Sequence, residues 1–181
     1  MSAANFTVDL VLPVGQRDHV QGLLTAPVVL VEYGDYQCPY CAQVTGVIQE
    51  LQYQLGDRLC YVFRHFPLTE LHPRALRAAE AAEVAEAQNQ FWQMHYCLLA
   101  YQSALNETDL LQYARDLELD IERFEHDLNS NQRFHHIQED IRAVIDGGVD
   151  STPTFFINEV HYVGRWDLST LMNVIEPRYA E

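Results

Sequence analysis

The sequence predicts an α/β fold: one mixed sheet, with a block of helices inserted in the middle of the chain. Three observations predict it. Two β-branched, apolar runs, 28–33 and 59–66, are separated by a helical pattern. Only helical patterns occur from 68 to 147, and strand patterns return after Gly147-Gly148. A strand, a helix and a second strand in the same sheet form a right-handed parallel crossover in nearly all cases.

Thr7 to Leu12 alternates Val8, Leu10 and Leu12 with Asp9 and Val11 and is expected to be a short edge strand, because Pro13 follows. A polar stretch then runs to Pro27. Val28 to Tyr33 reads Val-Val-Leu-Val-Glu-Tyr, which suits a strand buried on both faces. After Cys38-Pro-Tyr-Cys41, the residues Val44, Ile48, Leu51 and Leu55 keep helical spacing until Gly56. Leu59 to Phe66 is the second strand, stopped by Pro67.

The inserted block reads as roughly five helices. Pro73 to Gln88 carries Ala75, Ala78, Ala82 and Ala85 on one face, and Phe91, Met94 and Leu98 continue the pattern. Asn106 and Asp120 are candidate caps for two further helices, and Phe134, Ile137 and Ile141 begin another, closed by Gly147-Gly148. Thr154–Ile157 and Val160–Val163 flank Asn158-Glu159 as a hairpin. Glu159 suits a positive φ poorly, so a longer turn is an alternative. Asp167 caps a final helix bearing Leu168, Leu171 and Ile175.

With 11 basic and 26 acidic residues, the 181-residue chain carries a net charge of −15. Nucleic acids and anionic lipid surfaces attract net basic faces, so neither is an expected partner. No run of 18 apolar residues and no signal-peptide pattern occurs, and the expectation is a cytoplasmic, monomeric protein without a membrane span.

Four cysteines are too few for a disulfide scaffold. Two form Cys38-x-x-Cys41 at a strand-to-helix junction. A cysteine at the start of a helix faces unpaired N–H groups and the positive dipole end, so Cys38 is expected to have a lowered pKa. Cys41 lies one turn on and can resolve a mixed disulfide. Pro39 fits the first helical position, where its missing N–H costs nothing. The other reading of such a pair is half of a zinc site, but Cys60 and Cys97 stand alone, so no metal and no cofactor is expected.

Residues 19 to 176 resemble the DsbA-like branch of the thioredoxin superfamily. The resemblance lies in Glu32-Tyr-Gly-Asp-Tyr-Gln-Cys38-Pro-Tyr-Cys41, Phe63-Arg-His-Phe-Pro-Leu68 and Thr152-Pro-Thr-Phe-Phe-Ile157. It implies a thioredoxin fold with a helical insertion: 1–67 and 148–181 as a discontinuous thioredoxin-like domain, and 68–147 as the inserted helical domain. It implies a protein disulfide oxidoreductase in which Cys38 is the nucleophile, Cys41 resolves, and Glu32, a buried acid, moves the Cys41 proton. Pro153 would be cis, and Thr152, Pro153, Pro39 and Tyr40 would contact substrate. Expected partners are protein or peptide thiols and disulfides, with glutathione or another thiol reductant as a further candidate. Thr152 looks more like the isomerase and reductase members, and Pro39-Tyr40 resembles glutaredoxins, so the direction of electron flow stays open.

Two rivals remain at this point: a glutathione-dependent reductase or transferase, and a zinc-stabilised or chaperone-like binding module. Cys60 and Cys97 are expected to serve as small apolar core residues. His126, His135 and His136 with Glu139 and Asp140 are expected to form a solvated face, because adjacent helical residues diverge by about 100°. Phe91, Trp92 and Tyr96 are expected to be core of the insertion.

Overall fold

A computed structural model describes residues 9–130 and 134–176. Five strands form one sheet: β1 (His19–Gln21), β2 (Val28–Gly34), β3 (Leu59–His65), β4 (Thr154–Ile157) and β5 (Val160–Tyr162), in the order β1-β3-β2-β4-β5. β2 and β3 run parallel, joined by helix α1 (Pro39–Leu55), while β4 pairs antiparallel with β2 and β5 with β4. The helices α2 (Ala75–Glu86), α3 (Phe91–Ala100), α4 (Glu107–Asp116), α5 (Ile121–Ser130) and α6 (Phe134–Asp146) lie between β3 and β4 in sequence, and α7 (Leu168–Ile175) closes the described chain.

The period of two along the strands divides the core between the two faces of the sheet. Val28 and Leu30 of β2, Tyr61 and Phe63 of β3, and Phe155 and Ile157 of β4 pack with the buried stripe Val44, Ile48, Leu51 and Leu55 of α1. Val31 and Tyr33, Cys60 and Val62, and Phe156 face the other way, onto Val144 of α6 and Leu10. Glu32 has the parity of Leu30. It therefore points to the α1 side, where the two cysteines lie.

Local chemistry ends the elements where expected. Gly56 follows α1 with φ +53°, a conformation without penalty only for glycine. Asn106 accepts from Asp109 N–H while the Asp109 carboxylate accepts from Asn106 N–H, a complete capping box for α4. Asp167 Oδ1 accepts from Thr170 N–H at the start of α7.

Several expectations are corrected. Residues 7 and 8 lie outside the described residues, and the rest of the proposed Thr7–Leu12 strand makes only an isolated bridge, Asp9 to Val160, with Leu10 N–H donating to Glu159 O. The edge strand is instead β1, within the stretch read as polar. Its three residues are too few to show an alternating pattern, and the pairing with β3 defines it. Asn158 and Glu159 form a two-residue turn with φ +47° and +70°, so the tight hairpin prevails over the poor preference of Glu159. Val163 is exposed beyond β5. In α2, Ala81 and Glu83 are buried along with the predicted alanine face, because α3, α4, α5 and α6 all pack around this helix. Cys60 is core, but Cys97 is only half-buried.

Arg64 of β3 is fully buried, and its charge is met by Asp18 in a two-pronged pair at 2.8 and 3.2 Å. The same guanidinium donates to Leu12 O, Pro13 O and the Tyr33 hydroxyl. Bidentate pairing with every donor used is what lets a guanidinium sit in the interior. This pairing holds residues 12–18 against the sheet.

Candidate active site

The register of β2 assembles the site. Tyr33 pairs with Thr154 across the β2–β4 ladder, so Thr152-Pro153 enters the sheet beside the end of β2. From that end, the chain turns through residues 35–37 into α1. The Thr152–Pro153 bond is cis. Cys38 takes the N-cap position of α1, Pro39 the first helical position, and Cys41 is fully buried one turn on.

Cys38 Sγ donates to Thr152 O at 3.3 Å. Its thiol is lowered to about 5: the Cys41 thiol is the main contributor, followed by Thr152 and the N–H groups of Cys41 and Tyr40, against the opposing effect of burial. The buried Thr152 hydroxyl has no hydrogen-bond partner among the described residues; it is the Thr152 carbonyl that Cys38 Sγ meets. Cys41 moves the opposite way. Burial raises its thiol well above the ordinary value, and the neighbouring Cys38 and Glu32 add to the shift. The two sulfurs are thus strongly unequal.

Glu32 is 2 % exposed and pushed up to about 8. Burial is the main cause, partly offset by the Tyr61 hydroxyl, which donates to Oε2 at 2.8 Å. No arginine pairs with it among the described residues. Gly34 belongs to the same arrangement: a Cβ there would stand 2.4 Å from the Phe63 ring and 3.2 Å from Glu32 Oε1. The absence of a side chain at 34 is what leaves room for the acid.

Two side chains, Asp35 within the motif and Gln102 far from it, fix the strand-to-helix turn. The buried Asp35 carboxylate accepts from Gln37 N–H, Leu68 N–H and His72 Nδ1 at 2.7–2.8 Å. Gln102, just beyond α3, donates through Nε2 to Cys38 O at 2.7 Å and to Tyr36 O at 2.9 Å. Gln102 carries no signal in the sequence, since it works through backbone atoms distant along the chain; Asp35 stands in the quoted motif without an assigned role, and its partners Leu68 and His72 are distant along the chain. Tyr40 is 57 % exposed and meets Trp166 edge-on at 6.3 Å. Beside it, a cleft of about 480 Å³ is lined by Val47 and residues 164–167.

The histidines sort differently from the sequence reading. His126 and His135 are exposed, as expected of a solvated face. His136 turns inward onto Glu83, and Asp140 is buried, bonded to Arg17 and to His65 N–H. The i, i+4 relation of His136 and Asp140 places both on the buried face of α6, a consequence of packing that adjacent-residue geometry alone did not reveal.

A family model described as Thioredoxin matches residues 15–177. A thioredoxin-like oxidoreductase from Silicibacter pomeroyi DSS-3 is 26% identical, with a TM-score of 0.81 over 92% of this chain and 95% of that one. DsbA1 of Wolbachia pipientis is 25% identical, with a TM-score of 0.79 over 94% of each chain. Among curated relatives, the Na(+)/H(+) antiporter NhaA 1 of Mycobacterium sp. (strain KMS) is 44% identical over 170 residues. Those residues are 92% of this chain but only 28% of that protein, so the chain spans little more than a quarter of the curated relatives it first matches.

Two outcomes are expected from the ionisations. Alkylation of Cys38 should follow a titration with a midpoint near pH 5 while Cys41 stays unreacted, as read by mass spectrometry across a pH series. A midpoint near 8.5, the ordinary value, or faster reaction of Cys41 would remove the inequality between them. Because the folded pKa of Glu32 is raised, its stabilising contribution is complete below the unfolded value of 4.5 and is lost as pH rises through about 8. Glu32→Gln should therefore stabilise the fold by about 4 kcal/mol at pH 8 and by only about 1 kcal/mol at pH 5, measured by urea denaturation.

Proposed function

Because the chain belongs to the thioredoxin family, with the DsbA-like arrangement of a helical block inserted in the fold, we propose that it exchanges disulfides with protein substrates through Cys38 and Cys41. The observation that carries this reading is the opposite displacement of the two thiols on one helix turn, Cys38 down and Cys41 up. A nucleophile must be ionised at working pH, and a resolving thiol must hold its proton until the mixed disulfide has formed.

In the reducing direction, the Cys38 thiolate attacks one sulfur of a substrate disulfide. The Cys38–substrate bond forms as the substrate S–S bond breaks, and the first substrate sulfur leaves as a thiolate. With the Cys38 charge consumed in the mixed disulfide, one of the groups holding Glu32 protonated is gone; Glu32 gives its proton, by way of solvent, to the departing substrate thiolate, and the carboxylate then takes the Cys41 proton as Cys41 attacks Cys38 Sγ. The second substrate thiolate leaves, the Cys38–Cys41 disulfide holds the two electrons' worth of oxidation, and the substrate has gained two thiols. Oxidation of a substrate runs the same steps backwards, with Glu32 returning the proton. A carboxyl displaced to about 8 is suited to both directions at neutral pH.

Thr152 O lies against Cys38 Sγ, so an extended substrate segment that reaches the sulfur would lie along the 152–153 backbone as a short added strand. Tyr40 and the cleft beside Trp166 would take a substrate side chain. The antiporter names belong to chains more than three times as long, and no helix among the described residues is long and apolar enough to cross a membrane. Nothing of ion transport is carried over into this proposal.

The balance between the oxidised and reduced pairs follows from two magnitudes. Closing a four-residue loop stabilises the disulfide form by about 2 kcal/mol. With a folded value of about 5 against about 8.5 unfolded, the Cys38 thiolate stabilises the reduced form by at most about 2.7 kcal/mol at pH 7, and screening at the open side of the site reduces this. The two nearly cancel, which places the pair between a strong reductant and a strong oxidant.

Cys41→Ser is expected to accumulate mixed disulfides between Cys38 and proteins of a cell extract, seen as reducible bands on a non-reducing gel. Adducts of glutathione alone would replace the protein-substrate reading with a glutathione-dependent one. The depressed Cys38 value also gives the redox balance a definite sign: its contribution is complete above about 8.5 and lost as pH falls through 5. The reduced form should gain on the oxidised form by about 2–3 kcal/mol between pH 5.5 and 8.5, with nearly coincident urea midpoints near pH 7. A reduced form several kcal/mol more stable at pH 7 would make the protein a strong oxidant instead.

A further inference from the structure

Away from the cysteines, one buried carboxylate oxygen is met by three imidazoles. Glu83 Oε1, on α2, lies 2.5 Å from His19 Nε2 of β1, 2.9 Å from His65 Nε2 at the end of β3, and 2.9 Å from His136 Nδ1 of α6. The four residues come from four elements. Their only common neighbourhood is the seam between the sheet and the inserted helices.

The geometry points to a binding site for a divalent transition metal of the zinc class, with His19 Nε2, Glu83 Oε1 and His136 Nδ1 as ligands. Ligand atoms of these three residues all lie within 4.8 Å of one another. Metal–ligand bonds of about 2.0–2.1 Å require tetrahedral neighbours roughly 3.3 Å apart. The present separations on Glu83 reach that value with shifts below an ångström, which rotation of the side chains supplies. Two imidazoles and one carboxylate suit zinc, cobalt, nickel or copper, whereas calcium and magnesium call for oxygen ligands.

The surroundings favour this use of the cluster. The His19 ring lies flat against Phe91, with 8° between their planes, so its orientation is set before any metal arrives. Its other nitrogen, Nδ1, faces the Glu86 carboxylate at 4.0 Å, an ion-pair rather than a hydrogen-bond distance, so an Nδ1–H left when a metal takes Nε2 would point toward an acceptor. His136 Nε2 is buried and, among the described residues, has no hydrogen-bond partner, so it can take over the proton that Nδ1 now shares with Glu83 when a metal occupies Nδ1. His65 stands outside the three-residue set but donates to the same Glu83 oxygen, the position of an outer residue that orients a ligating carboxylate. The nearby acid Asp140 is occupied by Arg17 and His65 N–H, which leaves Glu83 as the carboxylate for the metal.

A metal here would join β1 to α2 and α6, which stabilises the seam; it takes no part in the cysteine chemistry. Binding can be tested on the metal-stripped, oxidised protein, in which Cys38 and Cys41 are joined and offer no thiolate. Titration with Co2+ should show one equivalent bound, with the weak d–d absorption of nitrogen and oxygen ligands and no sulfur-to-cobalt charge-transfer band. Zn2+ at a hundredfold excess over Kd should raise Tm by about 5–10 °C. His19→Gln and His136→Gln should each weaken Co2+ binding by at least about 10-fold, whereas His135→Gln, on the exposed face of the same helix, should leave it unchanged. Failure of the native protein to bind one equivalent, a sulfur charge-transfer band, or undiminished affinity in both His variants would overturn the proposal. The native spectrum decides even where a variant fails to fold.

Discussion

The site depends on the burial of β2 at the centre of the sheet. β3 covers one edge and β4 the other, and both faces are packed. That burial desolvates Glu32, and desolvation is the main reason its carboxyl is displaced to about 8. The same two pairings decide what meets at the end of the strand. The parallel partner requires a helical crossover, which puts a helix N-terminus at the end of β2; the antiparallel partner brings Thr152-Pro153 beside it. Were β2 an edge strand, water would reach Glu32 and the acid would have little reason to hold a proton.

Three ionisable groups then share a small, poorly hydrated space, and each shift has consequences for the others. Glu32 and Cys38 each oppose the ionisation of Cys41, so the cluster favours a single negative charge, carried by Cys38. Stability is given up for this arrangement: an acid kept protonated near neutral pH is a destabilising choice in a core, tolerated where chemistry needs it. Gly34 shows the steric side of the same compromise, since a side chain there would occupy the space of Phe63 and the acid.

Much of this was legible in the sequence because it rests on local chemistry. Cys38-Pro39 at a helix start, Asn106 and Asp167 as caps, and the apolar run of β2 each act within a few residues, and the structure has them where the pattern put them. Glu32 was visible as a charge in an apolar strand, although its partner Tyr61 was not. What escaped is non-local. β1 has three residues and no pattern of its own; Asp35 meets Leu68 N–H and the His72 ring, and Gln102 meets two carbonyls, all distant along the chain; His136 was assigned to a solvated face that its neighbour His135 does occupy. Packing decides which of two adjacent histidines turns inward, and packing among helices of the insertion is not encoded in spacing alone.

The Gln102 amide gives the inserted helices a place in the chemistry that their sequence position hides. It rests on the carbonyls of Tyr36 and Cys38, the last peptide groups before the reactive sulfur enters its helix. Transplanting the helical block of a relative onto this sheet would preserve the cysteines, the cis proline and the buried acid, yet remove the side-chain donor to Tyr36 O, and one of several donors to Cys38 O, unless the donated block carried an amide at the same spot. Chimeras of this fold are therefore constrained at a single hydrogen-bonded contact as well as along the apolar seam.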